Sequence, residues 1–167
     1  MEKGPEDVLT QTMNAQKAVF SVSAALWVRS GLSDPAMVMG HSLGEYMALT
    51  ASGAISLMEC FDLVKARASA MDSAMPAGRG AMAAVMGMSA EDIAEVLEGI
   101  DGVWVANINT PEQVVISGEA RQMPLASSLL KEKGARRIIS LKVAVASHCP
   151  LMEPARRSLR EYLKGVS

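Results

Sequence analysis

Aromatic side chains are scarce in this chain of 167 residues, with two each of Trp, Tyr and Phe, so its core is built from small and flexible aliphatic groups. Cysteine is scarcer still in effect: Cys60 and Cys149 are too few and too far apart for a disulfide framework or a zinc site, and no metal site is expected. A net charge of −2 excludes a global field for nucleic acid or a membrane surface, although local basic clusters remain. There is no basic-then-apolar leader and no uninterrupted apolar run of spanning length, which places the expected location in the cytoplasm. What is present is the balance of a soluble globular domain, half apolar and a fifth charged, with 13 methionines. The length suits one domain, or one domain carrying a small insertion.

Along the chain, residues 5–12 are polar, and "NAQKAVFSVSAALWVRSG" reads as a helix. Asn14 is its expected cap, Ala18, Phe20, Val22, Ala25 and Leu26 its apolar content, and Gly31 its end. "DPAMVMG" is a short, wholly apolar run suited to a buried parallel strand. "LGEYMALTASGA" and "SLMECFDLVKARASAMDSAM" follow as helices, the second stopped by Pro76 and Gly78. The pattern then changes. "GAMAAVMGM" is a strand, and "SAEDIAEVLEGI" a helix with Ser89 placed to cap and Asp92 three residues on. "VWVANIN" and "QVVISGE" are strands separated by the turn signal "TPE". "ARQMPLASSLLKEKG" is helical despite Pro124, and "RRIISLKVAV" alternates like a strand. The order β-α-β-β-α-β over residues 80–143 is that of a ferredoxin-like unit, inserted into the α/β layer formed by 1–79 and 144–167. "PLMEPARRSLREYLKGV" closes the chain as a helix.

Gly40-His41-Ser42-Leu43-Gly44 matches G-x-S-x-G, the nucleophile elbow. A sharp strand-to-helix turn holds such a serine strained and exposed, and side chains at the flanking glycine positions are expected to collide with backbone. The Leu43 N–H then points at an oxyanion, aided by the positive end of the following helix. The pattern alone arises by chance in roughly one chain in twenty of this length, so a tight turn stands as the other reading. A serine nucleophile needs a base. Of the two histidines, an elbow directs His41 away from the nucleophile's face, which leaves His148 in "VASHCPLM" as base or as a packing residue.

Five blocks, "GHSLGEY", "LVKARASAM", "GAMAAVMG", "NINTPEQVVISG" and "ASHCPLM", stand in this order and spacing. Together they resemble the malonyl-CoA:acyl carrier protein transacylase family, which includes the acyltransferase domains of fatty acid and polyketide synthases. The similarity runs from Gly4 to the C-terminus. It implies an α/β-hydrolase-like acyltransferase core with a ferredoxin-like (βαββαβ) insertion. Carried over, Ser42 matches the acyl-accepting serine, His148 the general base, and Arg67 the arginine that clamps the malonyl carboxylate. A guanidinium fork suits that last role, binding a carboxylate through two parallel hydrogen bonds. A solvated arginine on a helix face is the competing reading of Arg67. Gln16, Asn107 and Asn109 fall in motif-like stretches where turn and strand-end roles serve equally well. Ser147 leaves malonyl and methylmalonyl preference undecided, and Cys149 reads as a packing residue.

The implied reaction is ping-pong transfer of malonyl from malonyl-CoA to acyl carrier protein, without a cofactor, the phosphopantetheine thiol being carried by the partner. Arg121, Lys131, Lys133, Arg136, Arg137 and Lys142 gather in the insertion as a solvated face or as a docking surface for that acidic partner. The family also opens with a strand and a G-Q-G motif supplying a second oxyanion donor, and continues through an N-P-V-x-W-like segment that orients the histidine. Neither is found between Met1 and Ser167, so the resemblance implies a central fragment of a longer enzyme. Two alternatives stay open: a serine hydrolase acting on acyl thioesters, and a non-catalytic fragment or carrier-protein-binding module.

Overall fold

The computed structural model describes residues 4–76 and 78–166. The two ends of the chain, where the family's G-Q-G and N-P-V-x-W-like segments are expected, lie outside the described residues at 1–3 and 167. Two compact units form, one from 1–70 with 157–167 and one from 71–156. No helix of the described residues is long and apolar enough to cross a membrane.

The first unit is helical. It begins with a one-turn helix α1 (Glu6–Leu9), followed by α2 (Thr12–Ser30), α3 (Gly44–Ala51) and α4, which starts at Leu57 and runs to Ala74. Helix α2 begins two residues ahead of the expected cap: Asn14 lies inside it, its Nδ2 donating to the Val8 carbonyl (3.0 Å) and to Gln11 Oε1 (3.3 Å). Gly31 ends it in the left-handed conformation at φ 65°, where a side chain is strained. One stripe of α2 is buried, Thr12, Gln16, Phe20 and Ala24, at the four-residue spacing of a helix face. Val22 and Leu26, part of the apolar content of this helix, are exposed. Phe20 packs with Cys60 and Val64 of α4, against which Leu43, Tyr46, Met47, Ile55 and Phe61 are partly buried. An apolar groove of about 600 Å³ runs between α2 and α4, lined by Phe20, Ala24, Val28, Leu57, Met58 and Phe61.

The apolar run at 34–40 corrects the sequence reading. No strand forms there, and Met37 and Met39 are 77% and 83% exposed. A parallel strand is held by neighbours on both sides, and none of the four strands among the described residues pairs with it.

The second unit holds a four-stranded antiparallel sheet of β1 (Gly80–Met86), β2 (Val103–Thr110), β3 (Gln113–Glu119) and β4 (Arg137–Ser140) in the order β2-β3-β1-β4. Helix α5 (Ala90–Leu97) connects β1 to β2, and α6 (Met123–Glu132) connects β3 to β4. Ala83, Val85, Val114 and Ile116 pack with Ile93, Leu97 and Leu130 of the helices into the larger core. Met82, Ala84 and Val115 form a smaller cluster, as the two-residue period of a strand requires. Ser89 caps α5 as expected, its Oγ accepting from the Asp92 N–H at 3.1 Å, worth about 1 kcal/mol. Strand β4 is shorter than "RRIISLKVAV" promised. It pairs with β1 from Ala83↔Ser140 to Met86↔Arg137; beyond Ser140 no strand is formed, although the Leu141 N–H still donates to the Met82 carbonyl at 2.9 Å. A 3₁₀ turn (Pro150–Met152) leads into α7 (Glu153–Leu163).

Candidate active site

The geometry at Ser42 is that of a strained elbow. Ser42 has φ 53°, a left-handed backbone that costs a non-glycine residue about 1–2 kcal/mol. Among the described residues only Asp34, Ser42 and His148 adopt positive φ without being glycine. Such strain concentrates at functional sites. The turn closes through short-range hydrogen bonds, Gly44 N–H to the His41 carbonyl (2.9 Å), Glu45 to Ser42 (3.2 Å) and Tyr46 to Leu43 (3.2 Å). The Leu43 N–H takes no part in these bonds and sits at the N-terminal end of α3, where the helix dipole favours negative charge. Gly40 is sterically required: a Cβ there would lie 2.0 Å from the Gly44 carbonyl carbon and 2.3 Å from the Glu45 nitrogen. Gly44, expected to be equally crowded, faces open space and has room for a side chain.

Arg67 stands on α4 in register with the buried residues Cys60, Val64, Ala68 and Met71, so its side chain is directed into the unit rather than into water. Its Nη2 donates to Ser42 Oγ at 3.2 Å and its Nη1 to the Oε1 of the buried Gln16. The guanidinium carbon lies 5.5 Å from the centroid of the Tyr46 ring. No carboxylate pairs with it among the described residues; all three partners are neutral. Burial pulls the Arg67 guanidinium below the usual arginine range, with Tyr46 and Glu45 opposing. Burial likewise pushes the Tyr46 phenol up, against the pull of Arg67. A half-buried cation whose hydrogen-bond partners are neutral has the chemistry to accept an anion.

The other candidates lie in the second unit. His148, at φ 59°, directly precedes Cys149 and the 3₁₀ turn. Cys149 Sγ donates to the Ala146 carbonyl at 3.3 Å, a local packing contact. Asn107 and Asn109 are on β2, and the exposed Asn109 donates through Nδ2 to Gln113 Oε1 at 3.2 Å across the hairpin. In the basic cluster, Arg121 pairs with Glu119 at 2.5 Å and Arg136 with Glu112, while Lys131, Lys133 and Arg137 are exposed. The structure thus brings together Ser42, Leu43, Arg67 and Gln16. Tyr46 joins them, and sequence reasoning missed it; its signal was its place in the first turns of the helix that Ser42 opens.

A family model described as acyl transferase domain matches residues 1–167. The malonyl CoA-acyl carrier protein transacylase of Bacillus subtilis is 45% identical, over 96% of this chain and 53% of the relative. That of Escherichia coli K12 is 41% identical, over 99% of this chain and 56% of the relative. The chain therefore spans about half the length of the curated relatives it matches. Among solved structures, the malonyl-CoA:acyl carrier protein transacylase of Xanthomonas oryzae superposes with a TM-score of 0.91 at 42% identity, covering 98% of this chain and 54% of that one. A type II polyketide-synthase acyl-carrier protein in complex with its malonyl-transacylase gives 0.91 at 38% identity, covering 98% and 55%.

Proposed function

The chain belongs to the acyl transferase domain family, and from that premise we propose that the protein it represents moves a malonyl group from malonyl-CoA to the phosphopantetheine thiol of an acyl carrier protein. The observation that carries the reading is Arg67: a desolvated guanidinium with only neutral partners, 3.2 Å from the hydroxyl of a strained elbow serine. A clamp so near the nucleophile suits a carboxylate separated from the acyl carbonyl by a single methylene, which is the malonyl skeleton. Longer diacids would place their carboxylate beyond it.

In the proposed reaction, His148 takes the Ser42 hydroxyl proton as Oγ attacks the thioester carbon. The Leu43 N–H donates to the developing oxyanion, and Arg67 holds the free carboxylate. The C–S bond breaks, CoA leaves with the proton from His148, and malonyl-Ser42 remains. The carrier's thiol then attacks the ester carbonyl as His148 takes its proton; the C–Oγ bond breaks, His148 returns the proton to Ser42 Oγ, and malonyl-carrier protein leaves. No step uses a cofactor. Gln16 positions Arg67, and Asn109 on β2 is a further candidate for substrate contact. Lys131, Lys133 and Arg137 are the part of the basic cluster best suited to an acidic carrier protein, since Arg121 and Arg136 already pair with glutamates. We read 80–143 as a ferredoxin-like subdomain, and 1–79 with 144–167 as part of an α/β-hydrolase-like core.

Incubation with malonyl-CoA and holo-acyl carrier protein tests this. Malonyl-carrier protein is the expected product, lost in Ser42→Ala and in His148→Ala. Free malonate released at an equal rate without carrier protein would overturn transfer in favour of hydrolysis.

A further inference from the structure

Tyr46 belongs to no catalytic step above, yet it is the partner that lets Arg67 remain a free cation. We infer that Tyr46 is a positioning residue for carboxylate recognition, its ring backing the Arg67 guanidinium so that the fork stays charged, desolvated and aimed at the Ser42 acyl site. The inference rests on the malonyl reading and deepens it.

An arginine withdrawn from water normally finds a carboxylate. Such a partner would hold Arg67 firmly but would occupy the donors that a substrate carboxylate needs. An aromatic face attracts the guanidinium without accepting its in-plane N–H bonds, leaving available the N–H groups that Gln16 and Ser42 do not take. The distance of 5.5 Å from guanidinium carbon to ring centroid is within the range of that attraction. The ring is itself fixed. It packs against the cluster of Phe20, Cys60 and Val64, and the Tyr46 carbonyl accepts from Cys60 Sγ at 3.0 Å and Thr50 Oγ1 at 3.2 Å. Gln16 Oε1 takes Nη1 from the opposite element, α2, so ring and amide together define the direction of Nη2 toward Ser42. Both supports are neutral, which is the property the receptor requires. The phenol remains protonated at neutral pH, so the ring adds no competing anion.

The test is calorimetric binding of malonyl-CoA and acetyl-CoA to the 167-residue chain, compared with Arg67→Ala, Tyr46→Phe and Tyr46→Leu. The unmodified chain should prefer malonyl-CoA, and Arg67→Ala should erase that preference. Tyr46→Phe, which keeps the ring, should hold the preference within about twofold, whereas Tyr46→Leu should reduce it about three- to tenfold through the malonyl arm alone. A full preference in Tyr46→Leu beside its loss in Arg67→Ala overturns the role of Tyr46 and leaves the malonyl reading standing. An unmodified chain without preference overturns both. A second readout covers a Tyr46→Leu variant that fails to fold. In the unmodified chain the Arg67 side-chain N–H resonances, assigned by their loss in Arg67→Lys, should be shifted upfield by the ring. Coincidence with the other arginines would refute the stacking.

Discussion

Replacing Arg67 by Met separates a binding role from a structural one, because the two predict opposite patterns of loss. The substitution keeps the apolar stem and removes the charge. A charge-assisted hydrogen bond to a carboxylate is worth about 1.5–3 kcal/mol, so losing the net equivalent of one should lower affinity for malonyl-CoA by roughly ten- to a hundredfold while acetyl-CoA is unaffected. Stability should behave differently. Arg67→Met leaves the buried Gln16 Oε1 without its guanidinium donor, costing about 1–3 kcal/mol, but it also removes a cation that burial disfavours. The expected net loss is no more than about 2 kcal/mol. Adding Gln16→Leu makes both sides of that contact apolar and should recover part of the loss, without restoring malonyl preference. Urea unfolding followed by circular dichroism measures the first quantity and calorimetry the second. An Arg67→Met loss beyond about 4 kcal/mol, unrelieved by Gln16→Leu and with malonyl preference intact, would refute the reasoning.

Three further outcomes follow from the same geometry. Gly40→Ala drives a methyl into the Gly44 and Glu45 backbone and should cost about 1–3 kcal/mol, several degrees in Tm, whereas Gly44→Ala enters open space and should melt within about a degree of the parent; differential scanning calorimetry compares them. Ser42→Gly relieves the positive φ that Ser42→Ala retains, so it should be the more stable of two inactive variants by about 1 kcal/mol in urea titration. The raised Tyr46 pKa means the folded state holds its phenol proton more tightly than the unfolded chain, so the associated stability is complete below pH 10 and is lost as pH rises through the higher folded value. Tyr46→Phe should therefore show a shallower decline in Tm above pH 10, and equal slopes would contradict the burial.

The second unit was largely legible because its signals are local. The Ser89 cap, the TPE turn and the two-residue alternation of β1 and β3 each operate within a few residues. Strand β4 was over-read since alternation continues past Ser140 while the register with β1 does not. The run at 34–40 failed for a related reason: its composition specifies a strand with neighbours on both sides, and a strand without them has no ladder. Val22 and Leu26 share that cause, apolar positions without a covering partner among the described residues. At the site, Ser42 is visible through its motif, while the sequence around Arg67 allows both a clamp and a solvated face. The spacing Cys60, Val64, Arg67, Met71 places it on a buried stripe of the helix, which favours the inward direction. The contacts of Arg67 with Gln16 and Tyr46 join residues far apart in the chain, and no local pattern contains them.

The central claim is that Ser42 is the acyl-accepting serine of a malonyl transferase. Intact-mass and peptide mapping after exposure to malonyl-CoA test it most directly, on the chain and on a chimera in which it replaces the matching part of the Bacillus subtilis relative. The account predicts a single malonyl group in the chimera, on Ser42, absent in Ser42→Ala and much reduced with acetyl-CoA as donor. A chimera that folds but stays unmodified, or an adduct that survives Ser42→Ala, would contradict it.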